Sequence, residues 1–177
     1  MMSPSAAHES LFHAWLEEHR GIFVKVTRSF AHSETEAGEL QQEMLFQLWV
    51  SLPRYAGQAK PSTWIYRVCL NTALTWRRGA QRRERRIEPG ADISLLAADA
   101  ASPAEAAGHQ DLLEQVYAAL QAMPPSDRAL ILLMLDGLAY REMAEVTGLT
   151  ENHVGVALTR ARKHLATLLK GVTDELE

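Results

Sequence analysis

The sequence predicts an all-α chain: two small helical domains joined by a flexible acidic linker, the C-terminal one containing a helix-turn-helix. Three observations lead there. Apolar residues recur at spacings of three and four, as in Leu40, Met44, Leu45, Leu48, Trp49 and Leu52. No stretch alternates with period two between hairpin signals, so no sheet is expected. Between Glu88 and Gly108 the only large apolar residues are Ile93, Leu95 and Leu96, set among Ala, Asp, Ser, Pro and Gly. Such a stretch buries too little to offset its ordering entropy, and it reads as a tether. The boundaries follow as residues 8–86, a linker over 87–109, and residues 110–172.

Each element has its own signal. The helix through Leu40 to Leu52 stops at Pro53. A second opens at Ser62 after Pro61 and runs through Trp64, Val68 and Leu74 to a group of arginines. Leu112, Leu113, Val116 and Leu120 trace a third face, ended by Pro124 and Pro125. Asp127 to Asp136 reads as a buried helix, and two short helices flank Gly148. Gly148 sits in a turn where a left-handed backbone angle suits glycine, with Ala144 small where the helices cross and Leu149 expected to plug the core. Thr150 can cap the second helix of the pair. Behind it Val154, Leu158, Ala161, Leu165 and Leu168 form one inward stripe, while Glu151, Asn152, Gly155, Arg160 and Lys163 lie opposite.

Composition excludes several classes. The chain has 177 residues, 47% hydrophobic and 23% charged, the balance of a folded globular protein rather than a disordered one. No apolar run approaches the roughly 18 residues a membrane helix needs, so no membrane insertion is expected. Early acids at Glu9, Glu17 and Glu18 argue against a secretory signal. The single cysteine, Cys69, forms no internal disulfide and no zinc site alone, so a reduced, cytoplasmic location is expected. The histidines are scattered, and no HExxH, GKS/T or serine-elbow pattern occurs. No catalytic residue, metal or cofactor is therefore expected.

The net charge of -4 hides a strong local pattern. Residues 60–86 hold eight bases and one acid, and residues 87–127 hold seven acids and no base. In the basic segment Trp64, Tyr66, Arg67, Asn71, Trp76, Arg77, Arg78, Arg82, Arg83, Arg85 and Arg86 share one helix. Arginines neutralise phosphates, aromatic faces stack on unpaired bases, and asparagine can pair with a base edge. The combination suits single-stranded or melting DNA. Before it, Glu39 and Glu43 lie one turn apart on one helix face. Taken by themselves, those acids read as a solvated helix N-terminus, where the helix dipole favours them.

Several local signals stand in a fixed order: Glu39-Leu40-Gln41-Gln42-Glu43 with Trp49; Tyr55-Ala56-Gly57; Thr63-Trp64-Ile65-Tyr66-Arg67 with Asn71; and the Pro124-Pro125 helix-turn-helix ending in Arg160-Ala161-Arg162. In this order the chain resembles the extracytoplasmic-function (ECF) group of bacterial RNA polymerase sigma factors, over nearly its whole length except the tether. The resemblance implies a non-catalytic factor that binds core RNA polymerase, recognises the −10 and −35 promoter elements and helps melt DNA. It implies that the first domain is sigma region 2 and the last sigma region 4. Glu36, Glu39, Leu40, Gln42, Glu43 and Trp49 would then dock on the clamp helices of the polymerase β′ subunit, and region 4 on the β flap. The loop bearing Tyr55, Gln58, Lys60 and Ser62 would capture a flipped −10 base. Thr63, Trp64, Arg67 and Asn71 would handle the melted strand, with Arg77, Arg78, Arg82 and Arg83 on nearby phosphates. Tyr140, Arg141, Thr150, Glu151, Asn152, His153, Val156, Thr159, Arg160, Arg162 and Lys163 would serve the −35 element. The tether would pass through the polymerase RNA-exit path. An anti-sigma factor, usually membrane-anchored, is the implied regulator.

The chain departs from that family's pattern at Gly38, where an acid is common, at Thr75, also a frequent acid, and at Ala139, usually a capping serine. Gly155 and Ala157 stand at positions usually basic, which implies fewer phosphate contacts at the −35 element. Two other readings compete: a helix-turn-helix regulator acting on duplex DNA without polymerase docking, and a helical adaptor with no DNA role. The first leaves the basic aromatic helix unexplained, and the second predicts no salt-dependent DNA binding.

Overall fold

The computed structural model describes residues 4–84 and 107–174, so Arg85, Arg86 and residues 87–106 of the tether expected over 87–109 lie outside the described residues, while residues 107–109 already belong to a helix. Eight α-helices and one 3-10 turn occur among them, with no strand. They are α1 (Pro4–Glu18), α2 (Arg20–Phe30), α3 (Glu34–Ser51), the turn Leu52–Arg54, α4 (Pro61–Glu84), α5 (Ala107–Ala122), α6 (Pro125–Leu135), α7 (Tyr140–Thr147) and α8 (Glu151–Asp174).

Local chemistry sets the helix ends. Ser33 Oγ accepts from the Glu36 amide at 3.2 Å and so caps α3. Pro53 falls inside the 3-10 turn that ends α3. Gly148 ends α7 with φ 73°, its amide donating to Ala144 O at 2.9 Å. Thr150 Oγ1 accepts from the His153 amide at 3.3 Å and caps α8. Ala139 has no side-chain oxygen to cap α7, so only the return half of a capping box forms, Ala139 N–H donating to Glu142 Oε2 at 2.9 Å.

The core follows the helical stripes. Leu40, Met44 and Leu48 of α3 meet Ile65, Tyr66, Cys69 and Ala73 of α4 and Phe23, Val26 and Phe30 of α2, all buried. In the second half Leu130, Ile131 and Leu133 of α6 pack with Met143, Val146, Val154, Leu158 and Ala161. Burial pushes the Cys69 thiol far above its ordinary range. Leu149 does not plug this core: it is 41% exposed beside the turn, and Met143 and Val146 fill the space. Seven residues separate Val146 from Val154, Gly148, Leu149 and Thr150 among them, and the left-handed turn at Gly148 carries Leu149 outward.

The two halves also meet, which helical periodicity alone does not foretell. Arg128 is 2% exposed, with its guanidinium over the Phe30 ring. It donates to Ser29 O at 2.8 Å, at the end of α2, and to Gln121 O and Met123 O at 2.6 and 2.9 Å, at the end of α5. A cation between two helix C-termini is favoured by both dipoles. Desolvation pulls its pKa down to about 10, so it stays charged at neutral pH. Gln121 Nε2 donates to Arg28 O and Ala31 O, each at 2.8 Å. Asp136, just past α6, accepts from both Lys25 of α2 and the buried Tyr66 hydroxyl of α4. Desolvation and that carboxylate raise the Tyr66 pKa well above its ordinary value.

Candidate nucleic-acid interface

One concavity beside the basic helix lies between the 54–59 loop and the start of α4. It measures about 410 Å³ and is lined by Arg54, Tyr55, Gln58, Thr63, Trp64 and Arg67. Two aromatic rings, Tyr55 and Trp64, line its wall, and Trp15 packs against Tyr55. Tyr55 stands edge-on to Trp15 at 4.8 Å and to Trp64 at 5.5 Å. Trp64 Nε1 donates to Ser51 Oγ at 3.2 Å, and the Tyr55 hydroxyl donates to Ala59 O at 2.9 Å. These bonds fix the rings before any ligand arrives. The loop turns at Gly57, whose φ of 72° suits glycine. Arg67 and Gln58 are exposed at the rim and supply cationic and amide groups. Thr63 is 3% exposed and reaches the pocket only from its floor. Glu145 of α7 also lines it, a neighbour invisible to sequence spacing.

Asn71, one turn beyond Arg67, is exposed but falls outside this pocket. It opens instead onto a groove of about 450 Å³, which α4 shares with α6, α7 and α8 through Leu70, Leu74, Leu130, His153 and Val156. Arg78 and Arg82 are exposed, and Arg83 is described only as helical backbone. Arg77 departs from the expectation that it holds phosphates. Its side chain is only 12% exposed and lies 3.8 Å from Glu36 Oε1. The cause is register: Ala73, Arg77 and Ala80 continue the inward stripe of Tyr66 and Cys69.

On α3, Glu39, Gln42 and Glu43 are exposed, and they continue into Phe46, Trp49 and Val50 at 58, 41 and 42% exposure. This makes an acidic face with an apolar end. Phe46 and Val50 extend it beyond the residues named from sequence. Leu40 is corrected: it is wholly buried and supports the face from within. Glu36 is partly covered, and its carboxylate accepts from the His32 amide at 2.8 Å. A side chain at Gly38 would meet nothing within 4 Å.

The helix-turn-helix presents Arg141, Thr150, Glu151, Asn152, His153, Thr159, Arg162 and Lys163 to the surface. Val156, 72% exposed, is the most open large apolar side chain among the described residues, and Tyr140 is 42% exposed. The Tyr140 ring lies over Gly155, where an added Cβ would stand 3.4 Å from it. Arg160 donates to Asp127 Oδ1 at 2.9 Å, which ties α8 to the start of α6. No cluster of three or more metal-ligating side chains occurs among the described residues. No described helix is long and apolar enough to cross a membrane.

These features define a helix-turn-helix protein with a second, aromatic and cationic site. Residues 15–83 match the Sigma-70 region 2 family, and residues 113–165 match Sigma-70, region 4. The ECF RNA polymerase sigma factor SigG of Mycobacterium tuberculosis (strain H37Rv) is 29% identical over 198 residues, covering 98% of this chain and 52% of that protein. The chain thus spans about half the length of that relative. The RNA polymerase sigma-H factor of Pseudomonas aeruginosa is 27% identical over 157 residues, covering 82% of this chain and 79% of the other. Among solved structures, CnrH in complex with the cytosolic domain of CnrY superposes with TM-score 0.64 at 21% identity, over 92% of this chain and 90% of that one. The sigma factor RpoE bound to the anti-sigma factor NepR from Bartonella quintana gives 0.65 at 18% identity, over 92% and 96%. The two likenesses show the fold. The chain belongs to the sigma-70 family, in its extracytoplasmic-function group, a family of transcription-initiation factors.

Proposed function

We propose that this chain binds core RNA polymerase and directs promoter-specific initiation by gripping the −10 and −35 elements with its first and second halves, without a catalytic site of its own. The observation that carries the reading is the pocket of Tyr55, Gln58, Thr63, Trp64 and Arg67, of about 410 Å³. That size falls at the low end of ligand pockets, about 300–1,000 Å³. Preformed aromatic walls with a cationic rim suit one unstacked base and its phosphate. The acidic and apolar face of α3, from Glu39 to Val50, would dock on the β′ clamp helices, and the second half would meet the β flap. The exposed start of α8 would enter the major groove, with Val156 placed for a thymine methyl and Asn152 for an adenine edge. We place this activity in the cytoplasm, under control of an anti-sigma factor, the class of partner seen with the structural neighbour RpoE.

The experiment is a pull-down of core polymerase by the purified chain, followed by anisotropy with a labelled single strand carrying the −10 element. Capture of core, and a loss of strand affinity in Arg67→Ala, is the expected result. Binding of duplex DNA with no capture of core would favour the polymerase-independent regulator instead.

A further inference from the structure

The groove between α4, α6, α7 and α8 has aliphatic walls. Leu70, Leu74, Leu130, Val146, Leu149 and Val156 line it, and no Phe, Tyr or Trp does so among the described residues. Leu70, Leu130 and Val146 are buried, whereas Leu149 and Val156 stand exposed beside them. Two large aliphatic side chains left in water at the edge of an apolar cavity favour an occupant that covers them, in proportion to the area removed from water. Ala157 adds only a methyl group to the wall, so the cavity reaches close to the α8 backbone. The volume of about 450 Å³ lies in the range of small-molecule pockets, about 300–1,000 Å³, which occur preferentially where domains meet.

The polar lining fits an anion. Arg160 and His153, both on α8, and Asn71 on α4 bring donors to the groove. Asp127, the acid among the described lining residues, is 4% exposed and accepts one N–H of Arg160 at 2.9 Å. A guanidinium carries five N–H donors in a planar fork, so one bond to Asp127 leaves Arg160 able to hold a second carboxylate. Its side chain is well exposed and open to such a partner. Aliphatic walls without large aromatic rings suit a saturated chain better than a flat ring, because they offer no face for stacking.

We propose that this groove binds a free medium-chain fatty acid, its tail along Leu74, Val146, Leu149 and Val156 and its carboxylate on Arg160. One consequence rests on the function proposed above. That function places His153 and Val156 on the −35 duplex, so a seated acid and the duplex would exclude one another.

Isothermal titration calorimetry of the full-length chain with decanoate, below its micelle concentration and without DNA, tests the site. Binding of one molecule per chain is expected, with methyl NMR shifts at Leu149 and Val156. Ala157→Leu fills the groove with another good helix former and should weaken binding about tenfold or more. Circular dichroism and melting verify its fold. Val156→Ser, at an exposed position, should weaken binding about threefold, and decan-1-ol, which lacks the charge, about three- to tenfold. Phe46→Ser, on the exposed apolar face of α3, should bind as wild type does. No binding up to about 1 mM, wild-type affinity in both groove variants, equal affinity for decan-1-ol, or loss of binding in Phe46→Ser each overturns the proposal. In a gel shift, saturating decanoate should weaken wild-type binding to a −35 duplex, and unchanged duplex affinity would refute the exclusion. A chain that binds decanoate but no promoter duplex would remove the proposed function while leaving the site in place.

Discussion

The two surfaces proposed to meet nucleic acid differ in construction. The surface of the first half is concave: aromatic rings held by hydrogen bonds to Ser51 and Ala59 wall a pocket with Arg67 at its rim. The surface of the second half is the start of α8, centred on Gly155, the open side chain of Val156 and Ala157, where it lines the groove shared with α4. One of its arginines, Arg160, is held by Asp127. On the proposed function, the first surface would hold a base on its own and the second would position a helix with few charges. Affinity should reside mainly at −10 and register mainly at −35.

The sharpest break between the two surfaces comes from Trp64→Ala. It removes a pocket wall together with the bond to Ser51 and the edge contact with Tyr55. Strand affinity should fall by tenfold or more, at about 1–3 kcal/mol per stacked base. Stability should fall by about 3 kcal/mol, because the ring is also part of the packing. Anisotropy and urea denaturation read the two effects separately, and loss of stability with unchanged strand affinity would make Trp64 a packing residue only.

Gly155→Lys moves the second surface toward the first. A side chain there meets the Tyr140 ring at about van der Waals distance, so the backbone need not shift. Duplex affinity for the −35 element should rise about three- to tenfold, and the slope of log affinity against log salt should steepen by about one. A gel shift across a salt series decides it, and a slope that does not change contradicts the account. A smaller change is expected from Val156→Ala, about threefold weaker −35 binding, removed when the facing thymine is replaced by deoxyuridine. Persistence of the mutant's defect on the deoxyuridine duplex would deny the methyl contact.

The subtlest test concerns the Lys60–Glu142 link between the halves. The hydrogen bond from Lys60, and then that from the Ala139 amide, holds the Glu142 carboxyl below its ordinary value of 4.5. A depressed acid contributes stability that is complete above its unfolded pKa and is lost as pH falls through the lower folded value. Lys60 is raised above 10.5, so its share is complete below that value and is lost as pH rises through the higher folded one. The link therefore spans the neutral range. In Lys60→Gln the Glu142 midpoint, followed by carbon NMR, should move up toward the ordinary range. An unchanged midpoint would place the cause elsewhere.

How much of this was legible in the sequence varies by element, for physical reasons. Helices announce themselves through apolar spacing and caps, and Pro53, Gly148 and Thr150 act where sequence rules put them. Leu40 and Arg77 mislead when chemistry is read without register, since both fall on inward stripes. Leu149 shows the reverse, an apolar residue that a left-handed turn sets at the surface. The contacts of Asp136, Arg128, Glu142 and Glu145 were not legible at all. They join residues far apart in the chain, and a carboxylate on an exposed helix carries no mark of the partner it will meet. Gathering Tyr55, Trp64 and Arg67 into one pocket needed the fold as well, although their residue types had suggested the chemistry.

Run-off transcription with core polymerase, with permanganate probing of the same DNA, tests the central claim most directly. Adding the purified chain should yield one dominant start site, with reactive thymines confined to the −10 segment, and Arg67→Ala should diminish both signals together. A transcript pattern identical with and without the chain, and no melted segment, would contradict the account.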